Sequence, residues 1–309
     1  MINRTLIRLK VVQLVYAYYQ NEGKTTEVAL KELDFSLQKA HDLYRLLLLL
    51  LVELRRRAER VNAVYEAKKK RVGGGEISSN DKLLADNLFL KQLSENEELL
   101  EFEASQKWMW SNEDTFLKKL YDAWLNDNLF LRYVDTKVHD YESDRELVRK
   151  LYKNHVEKSE EFDALLEEQS LYWNDDKEIV DSFVLKTIKR FQAENGAAQE
   201  LLPAYAAQED QEFAGRLFKT TIERCSEMRD VVKNNIKKWQ FNRVAFMDLV
   251  IMQIALTEML EFPSIPLNVT FNEYLDIAKV YSTPRSAGFI HGVLEGITKR
   301  LKEEGVLLK

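Results

Sequence analysis

The chain has 309 residues, 51 of them acidic and 45 basic, with only 10 glycines and 4 prolines. So few turn-formers among abundant helix-formers favour long helices over a turn-rich sheet, and the length admits two domains or one domain with a large insertion. A single cysteine, Cys225, excludes an intramolecular disulfide, and the start Met1-Ile2-Asn3-Arg4 has no long apolar run behind it, so a cytoplasmic protein is expected. The expected fold class is all-α.

In chain order, the first helix is expected over 3–20, ended by Asn21-Glu22-Gly23. A second starts at Thr25 or Thr26 and runs to about Lys39. A third, Leu-rich, spans 42–64; its apolar run, Leu46 to Val52, is too short to cross a membrane and reads as core. Arg55, Arg56, Arg57, Arg60 and then Lys68 to Arg71 follow, before a connector-like stretch from Gly73 to Asn80. Residues 83–196 are helical in pattern, with Trp108, Trp110, Trp124, Tyr152 and Trp173 set among charges. Later helices are expected over 210–235, 242–262, 270–281 and 286–303, with Pro263 and Pro266 as breaks.

Charge divides the chain the same way. Residues 86–205 hold 27 acidic against 15 basic residues, a net of -12, and the remainder is net +6. The expected organisation is therefore one domain made from the two ends, 1–72 and 205–309, around an acidic helical insertion, 73–204.

Few residues suggest chemistry. Arg4 and Arg8 fall about 40 degrees apart on a helical wheel, and Tyr16 and Tyr19 share that side, an arrangement of cations and rings that suits single-stranded RNA; solvated arginines beside core tyrosines are the plainer alternative. In the 242–262 helix, Asp248 emerges from an apolar face and needs a partner, either Arg243 or Arg216 internally or a group on another protein. Gly288, Gly292 and Gly296 recur on one face of the last helix, which predicts close approach by a neighbouring helix or, less simply, by a ligand. The loop Ser282-Thr283-Pro284-Arg285-Ser286 sets a cation and hydroxyls beside a helix N-terminus, where a phosphate could dock or Ser286 could act as N-cap. His41, His139, His155 and His291 are scattered, so no metal site is expected, and no phosphate-loop or dinucleotide glycine motif exists.

The C-terminal segment resembles the transcription antitermination factor NusB family. The residues that carry the resemblance are Trp239, Arg243, Asp248, Ile254-Ala255-Leu256-Thr257-Glu258, Ile265-Pro266, Val269, Asn272-Glu273, Ala278-Lys279, Ser286, Phe289 and Gly292-Val293-Leu294. At the other end, Arg4, Arg8 and Gln13-Leu14-Val15-Tyr16 resemble the family's first helix. The resemblance covers residues 1–65 and 205–309. It implies two small helical bundles, no catalysis, no cofactor, binding of a boxA-type single-stranded RNA, and partnership with the ribosomal protein NusE and the transcription elongation complex in rRNA transcription.

Carried over by position, Arg4, Arg8 and Tyr16 fall where the family's first helix meets RNA. Arg285, Ser286 and Phe289 complete that surface, and Asp248 falls on the NusE-facing side. Thr5 and Leu6 stand where the family often has arginines, His291 replaces a usual Asn, and Arg285 stands where an acidic or neutral residue is common. Two other readings stay open: a protein–protein scaffold whose acidic insertion recruits a basic partner, and an RNA-modifying enzyme, against which the inserted rather than appended extra mass argues.

Overall fold

The structure, a computed structural model, describes residues 1–21, 23–72, 80–136, 138–173, 175–236 and 241–307. Among them lie fifteen α-helices and no named strand; the one β-type feature is an isolated parallel bridge between Ile2 and Tyr205. The all-α expectation holds.

Two compact units are present. One comprises Met1 and residues 39–203; the other comprises 2–38 and 204–309. Residues 73–79 of the expected connector lie outside the described residues.

The second unit contains α1 (Arg4–Gln20), the start of α2 (Thr26–Val72), α11 (Gln208–Glu223), α12 (Cys225–Asn234), α13 (Phe246–Glu261), α14 (Leu267–Tyr281) and α15 (Ser286–Glu303). Asn3 caps α1, its side chain accepting from the Leu6 amide at 2.9 Å. α13 packs against α1, α11, α12, α14 and α15. Encirclement explains its sequence: a helix with neighbours on every side is apolar around most of its circumference, and Leu249 to Met259 are all buried. Its polar residues Gln253, Thr257 and Glu258 are buried as well, and each is hydrogen-bonded. The expected helix over 210–235 divides at Arg224 into α11 and α12.

The first unit holds the rest of α2 with α3 (Asn80–Ala85), α4 (Leu88–Ser94), α5 (Glu97–Ser105), α6 (Asp114–Leu125), α7 (Asn128–Val134), α8 (Tyr141–His155), α9 (Glu160–Gln169) and α10 (Lys177–Arg190). α2 is one helix of 47 residues where two were expected. Lys39-Ala40-His41-Asp42 contains neither Gly nor Pro and Ala40 is fully buried, so nothing there breaks the helix. Its Leu46–Leu51 run is buried in this unit, and Trp110 donates its indole N–H to the Leu46 carbonyl at 2.5 Å. α8 packs against α4, α6, α7 and α10. Two buried carboxylates of this unit are paired inside it: Asp144 of α8 accepts from the Tyr133 phenol and from the Leu88 amide, the latter at 2.6 Å, and Asp181 of α10 accepts from Lys177 at 2.9 Å.

No helix among the described residues is long and apolar enough to cross a membrane.

Candidate nucleic-acid interface

The seven residues singled out in the sequence all lie in the second unit, but they do not form one surface. Arg8 is 2 % exposed. Its guanidinium grips Glu258 through Nε at 2.8 Å and an Nη at 2.9 Å, with Glu273 at 3.5 Å. Glu258, fully buried, also accepts from the Thr270 hydroxyl at 2.7 Å and the Tyr274 phenol at 3.0 Å. Four hydrogen bonds thus satisfy a buried carboxylate and its arginine together. Burial works against the Arg8 charge, but the hydrogen bonds and charge of Glu258 outweigh it and hold its pKa above the ordinary value. Tyr274, wholly buried beside that carboxylate, is raised well above the usual phenol range by desolvation first and by Glu258 second. Arg8 is therefore corrected from a phosphate contact to an internal tie between α1, α13 and α14.

Arg4, one turn earlier, is half exposed. Its Nε donates to Asp210 of α11 at 3.0 Å, and its guanidinium lies 5.1 Å from the Phe213 ring. Tyr16 sits three turns further on, about 18 Å along the axis at 1.5 Å per residue. Its ring centroid is 5.3 Å from Phe246, which is 37 % exposed at the start of α13, and Tyr19 approaches the same ring at 6.2 Å. Arg4 and Tyr16 thus occupy opposite ends of α1.

Asp248, Arg285, Ser286 and Phe289 do come together. With Arg243, Val244, Ala245 and Thr283 they line a cleft of about 260 Å³ between the start of α13 and the loop leading into α15. Asp248 is 4 % exposed and accepts from the hydroxyls of Ser282 and Ser286, the latter at 2.9 Å. These hydroxyl donors were not foreseen as its partners, and Arg216 binds Glu261 instead. Ser286 is not the N-cap of α15; Arg285 occupies that position without a side-chain cap bond. The Ser286 hydroxyl, 2 % exposed as a residue, instead also accepts from the Thr283 amide at 3.2 Å and lies 2.8 Å from the Thr283 hydroxyl. Asp248 and Ser286 are therefore the inner frame that fixes loop 282–286, and they are not open contact points. Arg285 is exposed, with no ion pair among the described residues, and Phe289 is half-buried.

Arg243, expected as a partner for Asp248 and as part of the family resemblance but not as a site residue, also lines this cleft. Its five-residue spacing from Asp248, across the non-helical turn into α13, was the available signal.

The expected close approach at the last helix is absent: a Cβ at Gly288, Gly292 or Gly296 would meet no described atom within 4 Å, and all three are exposed. His291 lies beside Phe271, ring centroids 5.6 Å apart. No group of His, Cys, Asp or Glu able to hold a metal ion occurs among the described residues.

The NusB family profile matches residues 182–299, starting earlier than the expected 205. The transcription antitermination protein NusB of Salinibacter ruber is 33 % identical over 132 residues, covering 41 % of this chain and 82 % of its own length. The protein of the same name from Chloroherpeton thalassium is 33 % identical over 98 residues, 32 % of this chain and 46 % of its own. That from Desulforamulus reducens is 38 % identical over 89 residues, 29 % of this chain and 62 % of its own. No solved structure matches the chain. With a relative matched over four-fifths of its length, and with the Asp248-to-Phe289 cleft inside the family match, this chain belongs to the NusB family.

Proposed function

We propose that this protein is a transcription antitermination factor that binds boxA-type single-stranded RNA together with the ribosomal protein NusE, within the transcription elongation complex. One observation carries the reading: the α13–α15 cleft combines the exposed cations Arg243 and Arg285 with the half-buried Phe289 ring, and Tyr16 and Phe246 flank the start of the same helix. Cations for phosphates beside rings for bases are what a single strand requires. The names of the matched relatives support the antitermination role. In this reading Arg285, Phe289, Arg243 and Tyr16 touch RNA, Asp248 and Ser286 hold the loop, and Arg4 contributes at the far end of α1.

A titration of boxA-like RNA at two salt concentrations, with and without NusE, tests this. Arg285→Gln is expected to weaken binding about tenfold, the loss of one charge-assisted contact, and to flatten the slope of log affinity against log salt by about 0.7. Equal affinity and slope in the variant would remove the cleft from the RNA surface.

A further inference from the structure

The loop after α10 is fixed more firmly than an exposed connection requires. Gln92 of α4, 7 % exposed, donates its side-chain amide to the carbonyls of Gln192 and Gly196, each at 2.9 Å. Asn96, fully buried at the start of α5, donates to the Gln199 carbonyl at 2.7 Å and the Ala197 carbonyl at 3.3 Å. Arg145 of α8 donates to the Phe191 carbonyl. Within the loop, the Gln199 side-chain oxygen accepts from the Gln192 amide at 3.1 Å and from Asn195 at 2.8 Å. Side chains from three elements are thus committed to the carbonyls of residues 191–199, and a rigidly mounted loop is where binding groups are commonly displayed.

The loop's solvent side forms an open cleft of about 600 Å³ lined by Lys189, Arg190, Gln192, Asn195, Gln199 and Glu200. Lys189 and Arg190 are exposed, and among the described residues neither makes an ion pair or a side-chain hydrogen bond. Arg45, Arg55, Arg56, Arg57, Arg145 and Arg149 of the same unit each close on a carboxylate, whereas Arg132 and Lys186, also exposed, make no ion pair among the described residues either, so it is their place on the cleft that marks Lys189 and Arg190. Cations in the last turn of a helix suit its dipole, but that explains neither the cleft nor its amides. The Gln192 side-chain amide and the Asn195 side-chain oxygen supply an unused donor and acceptors, the mixed set that reads a base edge, while two adjacent cations suit a phosphate.

We propose that this cleft holds one nucleotide of a single-stranded RNA, with Lys189 and Arg190 on the phosphate and Gln192 and Asn195 on the base. The site lies in a different compact unit from the α13–α15 cleft and does not depend on boxA recognition. An open cleft cannot bury most of a small free ligand, as tight small-molecule sites do, so the nucleotide belongs to a strand held also by its neighbours.

The test uses the full chain with Lys189→Gln and Arg190→Gln combined, titrated against a labelled single-stranded RNA of about 20 nucleotides lacking boxA, at about 50 and 200 mM salt. Binding is expected to weaken about tenfold at the lower salt and the salt slope to flatten by about 1.4, two contacts at 0.7 each, with an unchanged circular dichroism melt. Unchanged affinity and slope overturn the proposal. Displacement of the RNA by millimolar AMP from the unsubstituted protein assigns the cleft to a free nucleotide and overturns the strand reading. Arg285→Gln run in parallel separates the two sites: a loss confined to that variant, on boxA RNA, overturns this proposal and leaves the boxA reading standing. A loss confined to the Lys189/Arg190 variant does the reverse.

Discussion

Arg8 and Arg285 belong to the same compact unit and carry the same charge, yet Arg8 is 2 % exposed inside a four-bonded ion pair while Arg285 stands on the rim of a cleft without an ion pair among the described residues. The difference lies in what each helix has beside it. α1 turns Arg8 towards α13 and α14, which present Glu258, Thr270, Tyr274 and Glu273; Arg285 precedes α15, where the polar groups nearby are already committed to Asp248 and Ser286. A cation buried against its counter-ion, as Arg8 is, is lost as a ligand contact.

The largest effect tests that contrast directly. Arg8→Ala is expected to cost about 3–5 kcal/mol, because it leaves Glu258 charged and buried without its counter-ion. Urea unfolding measures it. Combining Arg8→Met with Glu258→Gln should recover most of the loss, since the glutamine oxygen still accepts from one of the Thr270 and Tyr274 hydroxyls and its amide N–H can donate to the oxygen of the other. A stable Arg8→Ala variant with weakened RNA binding would reverse the assignment and return Arg8 to the surface.

The other unit offers a half-buried titratable group for the same comparison. His41 stacks on Tyr44 with ring centroids 5.8 Å apart, donates to the Leu202 carbonyl at 3.3 Å, and has its pKa lowered to about 4, by burial first and the Arg45 charge second. An unfolded histidine takes its proton near pH 6.5, so between about 6.5 and 4 the unfolded chain binds more protons and stability falls as pH falls. Up to about 3 kcal/mol should be lost across that window, from 1.36 kcal/mol for each pH unit. His41→Phe should flatten this part of the stability–pH curve; an identical slope in the variant would show that other groups cause it.

Asp248 tests the exposed side of the comparison from within. Asp248→Ala removes the acceptor of two serine hydroxyls and is expected to cost about 2 kcal/mol in stability. It should also weaken boxA RNA binding, although this carboxylate never touches RNA in the proposed arrangement. Asp248→Asn keeps one good acceptor and should fall between the two. If RNA binding is unaffected while stability drops, loop 282–286 does not form part of the interface.

Helix positions were legible in the sequence because they depend on local pattern: α1 lies within one residue of its expected start, and α15 matches Ser286–Glu303. The cleft was legible in part, since Asp248, Arg285, Ser286 and Phe289 belong to two motif-bearing segments and do meet. The state of Arg8 was not. The same Arg-x-x-x-Arg spacing fits a phosphate-facing edge or an arginine turned inward, and only the position of Glu258, 250 residues away, decides between them. The α2 division failed for a similar reason: the 39–42 segment has charge but no breaker, and the buried Ala40 keeps the helix continuous. Long-range partners, rather than local preferences, decided both.

The smallest effect concerns the glycines of α15. Gly292 is helical and exposed, and an added Cβ would meet no described atom within 4 Å. Alanine there gains helix propensity without a steric cost, so Gly292→Ala should stabilise the protein by about 0.5–1 kcal/mol, read as a raised urea midpoint at constant m. The expected sign follows from the open face alone. A destabilised variant would mean that the protein in solution brings another backbone onto this helix, as the spacing of Gly288, Gly292 and Gly296 first suggested. Stabilisation would place these glycines with Arg285, on a surface the fold has left uncovered.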